Sequence, residues 1–427
     1  MYYAAALGEY LATAFLPGIV YGLWLLYRHC DDRQAQRRGF LVLALCYSAL
    51  LQCHMITTEL AVLAGGVFCL IFWRKTFRPK ILLSWLKACG LAVLLNLWFL
   101  VPFLTAMGSG LYTIGSKPMM IQQQGQSLMA LFNLNDKFAI GPGILLCGAA
   151  ALLILCTIKG LSDVWRRISW VSLCMGGVCV YLSTNLFPWD VLGRLPVFSL
   201  LTVIQFPWRY TTLATICLIV ALLSALAGAA SLLPRHINAF LPGICVAVAV
   251  FSVMVNWSSL IPDLGLTSMI DTSQLSYTDK GNLAYPMDDL YLPHGAVLSD
   301  DRYLSVHPFS SVNLGNYTRS EGTVSVPYSE YLGQEGYVEF PLLYYPGYTV
   351  VEGEGTVIPS PNGLVGVVVP ANSSGTLSVA FREPKRWLLS DAVSACAAFV
   401  LVGTTLYRRH KEKAKAGVSV RPAGVKS

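Results

Sequence analysis

The sequence predicts a polytopic α-helical membrane protein of about nine spans, N-terminus outside, with an extracytoplasmic all-β domain before the last span. Three observations predict it. First, 55% of the 427 residues are hydrophobic and only 12% are charged, against about 25% charged in a soluble domain. Second, long apolar runs alternate with short loops rich in Lys and Arg. Third, one stretch, residues 258–387, has a wholly different composition. Together these exclude a soluble enzyme, a disordered regulator and a nucleic-acid binder with a distributed basic face.

The apolar runs bounded by charge are Ala4–Tyr27, Gly39–Cys53, Glu59–Trp73, Ile81–Phe103, Gly141–Ile158, Ile168–Leu182, Tyr210–Leu232, Ala239–Trp257 and Leu388–Leu406. Hydrocarbon offers no water to backbone amides, so each run reads as a helix. Trp73, Trp98, Trp170, Trp257 and Trp387 fall near run ends, where indole prefers the interface.

Orientation follows from the basic residues. One set of loops carries Arg28, Arg33, Arg37, Arg38, then Arg74, Lys75, Arg78, Lys80, then Lys159, Arg166, Arg167, then Arg235. The tail after Tyr407 adds seven more, and this set holds most of the 30 Lys and Arg residues. The alternate short loops hold only Lys117, Lys137, Arg194 and Arg209. The positive-inside rule makes the rich set cytoplasmic and places the N-terminus and residues 258–387 outside. The first span starts almost at Met1, without a basic n-region or a small-residue cleavage site, so it does not read as a signal peptide.

The expected division is 1–257, a helical domain of eight spans; 258–387, a β-sandwich-like domain; and 388–427, a final helix with a basic tail. Residues 258–387 contain no cysteine, 14 of the 23 acidic residues and six bases. Leu377, Val379 and Phe381 alternate with Thr376, Ser378 and Ala380, the period of a strand. Leu364–Val369 is a β-branched run after the turn signal Pro361-Asn362-Gly363, and Tyr337–Phe340 and Tyr348–Val351 flank Pro346-Gly347. The 12 cysteines lie in or beside the apolar runs. They read as small core residues, not as a disulfide framework.

Four residues at membrane depth are candidates for chemistry. The second and third runs are short: about 15 residues of helix rise only ~22 Å, less than a ~30 Å hydrocarbon core. The turn His54-Met55-Ile56-Thr57-Thr58 and the following Glu59 then lie below the outer surface. One reading is a water-filled cavity lined by His54 and Glu59; the other is a tight hairpin whose polar tip reaches the headgroups. Glu9, near the outer end of the first span, either orients a hydroxyl or pairs with a base, or simply marks the interface. Arg209, in Gln205-Phe206-Pro207-Trp208-Arg209-Tyr210, is either a site for a lipid-linked phosphate or an ordinary interfacial arginine. Asp190 and Arg194 are four apart and could pair. The segment from Met119 to Lys137 reads as interfacial and amphipathic, over a lipid-substrate cleft or as a plain re-entrant or surface helix. The six histidines are scattered and indicate no metal site.

Ala6-Leu7-Gly8-Glu9-Tyr10, the Cys53–Thr58 turn, Asn96-Leu97-Trp98-Phe99-Leu100-Val101-Pro102-Phe103 and above all Gln205-Phe206-Pro207-Trp208-Arg209-Tyr210 resemble bacterial YfhO-type proteins. They also resemble the related pyruvoyl-tetrahydropterin-synthase-related membrane proteins. The Tyr345-Pro346-Gly347-Tyr348 turn, with the β-run and closing helix after it, resembles the end of those proteins. These proteins in turn resemble the GT-C superfamily of membrane glycosyltransferases. The resemblance implies sugar transfer on the outer face of the bacterial cytoplasmic membrane. The donor would be a polyprenyl-phosphate sugar and the acceptor an extracytoplasmic cell-wall glycopolymer such as lipoteichoic acid. The lipid bilayer is a further partner, and no nucleic acid is expected. GT-C enzymes carry their principal acid in a first large external loop after an initial helix, which this sequence does not show; the resemblance therefore implies an N-terminally truncated chain. Arg209 and His54 are the expected substrate-binding residues and Glu9 and Glu59 the candidate acids, the principal acid being unassigned. No cofactor is identified, with a divalent cation left open. The alternatives are a non-catalytic transporter or flippase of lipid-linked sugars, and a structural membrane protein presenting a β domain.

Overall fold

We describe a computed structural model over residues 7–112, 121–132, 142–158, 160–192, 195, 206–230, 292–296, 305–309 and 311–418. The expected span Ala239–Trp257, Arg235, Arg194, Lys117, Lys137, Lys159 and Gln205 lie outside the described residues. So do Ala4–Ala6 and most of 258–304.

The N-terminal helices are α1 (Leu7–Thr13), α2 (Leu16–Arg28), α3 (Arg33–Cys53), α4 (Met55–Ile71), the single turn α5 (Trp73–Thr76) and α6 (Pro79–Gly108). After them come α7 (Pro142–Ile158), α8 (Asp163–Leu182), the single turn α9 (Trp189–Leu192) and α10 (Tyr210–Ala230). The last, α11, runs over Lys385–Val418. Among the described residues four helices are long and apolar enough to cross a membrane: Gly8–Arg28, Pro79–Gly108, Pro207–Gly228 and Lys385–Lys411. Met55–Ile71 and Leu146–Cys156 are shorter apolar helices.

The helix ends follow local chemistry. The first apolar run is broken between α1 and α2, where Pro17 falls in the opening turn of α2 and its missing N–H costs no hydrogen bond. Asp32 caps α3 by accepting the Gln34 N–H at 2.7 Å. His54 alone separates α3 from α4; its backbone is extended and its Nδ1 accepts the Thr57 N–H at 3.2 Å. Helix α6 carries Pro102 in its interior, which removes one helical hydrogen bond. Gly22 of α2 and Gly39 of α3 lie back to back, each filled by a leucine of the opposite helix, Leu43 and Leu26. Small residues of this kind let helix backbones approach closely.

By compactness the described residues of Met1–Ala88 and Met119–Leu275 form one unit, and those of Cys89–Pro118 and Ser276–Ser427 a second. In the first, α8 and α10 pack through Gly176, where Leu218 occupies the space a Cβ would need. Leu153, Cys156, Leu173, Ala214, Leu218 and Ala221 form their shared core with α7.

The all-β region is a two-sheet sandwich. Its strands are β1 (His307–Phe309), β2 (Val312–Leu314), β3 (Thr318–Ser320), β4 (Thr323–Glu330), β5 (Gly336–Leu343), β6 (Tyr348–Glu352), β7 (Thr356–Pro359), β8 (Leu364–Val369) and β9 (Ser374–Phe381). One sheet has the order β1-β5-β8-β7 and the other β2-β4-β9-β6, with β3 on β4. All pairs are antiparallel; Val338 faces Val367 across β5 and β8, and Val324 faces Val379 across β4 and β9. Val324, Val326, Val338, Phe340, Val365, Val367, Val369, Leu377 and Val379 are fully buried between the sheets.

Two carboxylates are buried here as well. Glu330 accepts the N–H groups of Leu332 (2.8 Å), Gly333 (3.0 Å) and Asn372 (2.7 Å). Burial alone would raise its pKa, but these N–H donors and the Ser311 hydroxyl outweigh it and hold the carboxyl down to about 2. Glu339, 0% exposed, accepts from Ser360 and from Asn362 Nδ2 at 3.0 Å. At the end of β9, Phe381 departs from the inward alternation. It is 43% exposed and packs with Tyr348 and Trp387, at centroid separations of 5.7 and 6.2 Å.

Candidate functional site

The polar cluster of the first unit is assembled by three turns. The first is the start of α1. A Cβ on Gly8 would sit 2.5 Å from the Cys53 carbonyl oxygen, so glycine lets α1 rest directly on the end of α3, with the His54 ring beside it. Glu9, the next residue, is carried into the interior and is 1% exposed. The second is the approach to α10. Phe206 is extended, as a residue before proline prefers. Pro207, Trp208 and Arg209 form a 3₁₀ turn into Tyr210. The guanidinium lies 5.1 Å from the Phe206 ring centre and 5.6 Å from that of Trp208, a cation–π setting. The third turn is His54 itself.

These turns bring Glu9 and Arg209 together. Glu9 Oε2 is 3.7 Å from Arg209 Nε, with the two side chains 1% and 11% exposed. The distance is that of an ion pair and is longer than a hydrogen bond. Glu9 Oε2 has no hydrogen-bond partner among the described residues. His54 lies within the electrostatic reach of Arg209. Because its Nδ1 accepts the Thr57 N–H, the ring proton is assigned to Nε2. Glu59 is half-buried on α4 and acts electrostatically on Tyr210, the residue after Arg209. Of the four residues singled out from sequence, Glu9, His54 and Arg209 therefore share one cluster, and Glu59 flanks it.

The wall beside Tyr210 is aromatic and apolar. Trp189 stacks on Tyr210 at 5.6 Å, and Leu60 and Leu213 complete a buried patch with them. Inspection of the sequence did not single out Trp189, Thr211 or Thr212, all buried here. The Phe187-Pro188-Trp189-Asp190 motif, placed like Phe206-Pro207-Trp208-Arg209 before a helical turn, was the available signal.

Within the Met119–Lys137 segment the described residues form two 3₁₀ turns, Ile121–Gln124 and Ala130–Phe132, in place of the plain helix that was one of its readings. Its first part straps across the loop after α8. The Gln126 N–H donates to the Ser183 carbonyl and the Asn185 N–H to the Gln126 carbonyl, each at 3.0 Å, and the Gln122 N–H donates to Asp190 at 3.3 Å. Gly125 is needed there, because a Cβ would lie 2.5 Å from the Asn185 nitrogen. Asp190 is thus engaged by Gln122, and the expected partner Arg194 lies outside the described residues.

Chemically the cluster offers a buried carboxylate, a guanidinium and a neutral-capable imidazole within one apolar surround. No group of three His, Cys, Asp or Glu side chains among the described residues could hold a metal ion. No family model, curated protein or solved structure matches the chain.

Proposed function

We propose that the chain is a nine-span protein of the bacterial cytoplasmic membrane, with its N-terminus and β sandwich outside. In this reading it transfers a sugar from a polyprenyl-phosphate donor to an extracytoplasmic glycopolymer, as the resemblance to YfhO-type and GT-C proteins implies. The observation that carries it is the buried Glu9–Arg209 pair, 3.7 Å apart. Glycosyl transfer asks for both signs of charge at one place. A cation must stabilise the lipid phosphate as the bond from the anomeric carbon to its oxygen breaks. A carboxylate must accept the proton of the acceptor hydroxyl that forms the new bond. Arg209 suits the first task, since a guanidinium engages phosphate oxygens through two parallel N–H bonds. Glu9 is the carboxylate beside it, and His54 and Glu59 line the approach.

Engagement of Glu9 by Arg209 also favours a second reading, in which the pair holds and moves a lipid-linked sugar without transferring it. Proteoliposomes holding the whole chain and a radiolabelled polyprenyl-phosphate sugar separate the two. Label appearing in added cell-wall polymer supports transfer, and Arg209→Ala should abolish it. Movement of label across the bilayer without any reaching the polymer supports the flippase. Undiminished labelling by Arg209→Ala would sink the phosphate role.

A further inference from the structure

The C-terminal unit holds a cavity of about 420 Å³ that shares no residue with the Glu9–Arg209 cluster. Its size lies within the ~300–1,000 Å³ of small-molecule sites. Three pieces of chain form it: Gly110–Leu111 just after α6, the turn Pro293–Gly295, and the turn Pro359–Gly363 between β7 and β8, with Tyr344 on one side.

The walls are fixed in place. The His294 N–H donates to the Leu111 carbonyl at 2.7 Å, and Pro293 bridges to Tyr112. Tyr112 in turn stacks on Tyr345 at 5.7 Å. Gly295 and Gly363 both have positive φ, +82° and +71°. A Cβ on Gly295 would collide with the Pro361 carbonyl, and one on Gly363 would lie 3.0 Å from Ala296 N. Only glycine lets the two turns press this close.

The chemistry of the walls selects the ligand. The N–H groups of Ser360, Asn362, Gly363 and Tyr344 are already spent on Leu364, Ser360 and Gly363. Among the described residues no Lys or Arg lines the cavity. Ser360 also donates to Glu339, so a buried carboxylate stands one hydrogen bond behind the wall. The described walls therefore present no Lys or Arg, and four of their amide donors are already taken. What the described walls do offer is the Ser360 oxygen, an exposed imidazole, a tyrosine and proline rings. That set matches a molecule rich in hydroxyl donors with an apolar C–H face, which is a sugar ring.

We propose that this cavity is a subsite for an uncharged sugar unit; the glycosyltransferase reading is needed only to name its occupant as part of the acceptor glycan. The whole chain is reconstituted in lipid nanodiscs, which avoids sugar-headed detergents. The probes are methyl glycosides of glucose, galactose and N-acetylglucosamine, followed by saturation-transfer NMR. At least one should bind saturably, with inorganic phosphate failing to displace it. Affinity should fall fivefold or more in His294→Ala and Tyr344→Ala. His294 is exposed, so its variant keeps the test alive if Tyr344→Ala loses the near-ultraviolet dichroism of a folded sandwich. No binding by folded protein, binding indifferent to His294→Ala, or displacement by phosphate overturns the subsite. Glycoside binding without sugar transfer overturns only the glycosyltransferase reading, and transfer without glycoside binding overturns only the subsite.

Discussion

Arg209→Met should cost the first unit far more than the loss of one surface charge. Glu9 is 1% exposed, and its Oε2 has only Arg209 as an ionic partner among the described residues. At 3.7 Å and an effective permittivity of about 20, the mutual attraction is ~4.5 kcal/mol. Removing one member of a buried pair leaves the other charge uncompensated, at about 3–5 kcal/mol. Replacing both by neutral groups removes that penalty, so Glu9→Gln with Arg209→Met should be more stable than Arg209→Met alone. The assay is a double-mutant cycle on denaturant unfolding in nanodiscs, with Glu9→Gln, Arg209→Met and the double variant. A coupling of about 2 kcal/mol or more, with the double variant above the worse single, is expected. Strict additivity of the two changes would refute an interacting buried pair.

Two further predictions test the surroundings. Gly8→Ala should push α1 off the Cys53 carbonyl, lowering both the unfolding temperature and any sugar transfer; an unchanged protein would mean that α1 is not seated there. In the sandwich, the Glu330 carboxyl is held at about 2, below its unfolded value of about 4.3. The stability it contributes is fully present above pH ~4.3 and is lost as pH falls through about 2. Hydrogen exchange of β4 and β9 in the whole chain should quicken across that window, and Glu330→Gln should flatten the change. The same acid dependence in both proteins would remove Glu330 as its source.

Much of the scaffold was legible because hydrophobic run length and strand alternation are local signals. α3, α4, α6, α7, α8 and α10 lie where apolar runs predict helices, and β8 spans the predicted Leu364–Val369. The Glu9–Arg209 contact was not legible. The two residues are far apart in sequence, and each alone reads equally well as an interfacial charge. Their pairing depends on Gly8 docking against Cys53 and on the bend at Phe206-Pro207, both tertiary events. Glu330 and Glu339 were invisible for a related reason. Composition assigns acids to the surface, and only the turns at Leu332–Gly333, Ser360–Asn362 and Asn372 supply the donors that let these two be buried. The two 3₁₀ turns within Met119–Lys137 were not legible because Gly125 and the strap across Asn185, both tertiary contacts, set the backbone there.

Three residues, Arg382 to Pro384, join the last strand of the sandwich to α11. Even fully extended, they span only about 10 Å. On the proposed topology, with α11 seated in a bilayer, that short leash would hold the sandwich beside the membrane and put Phe381 and Trp387 at headgroup level. A partner of the sandwich would then have to arrive at the membrane surface first, which would make its supply a matter of two-dimensional encounter.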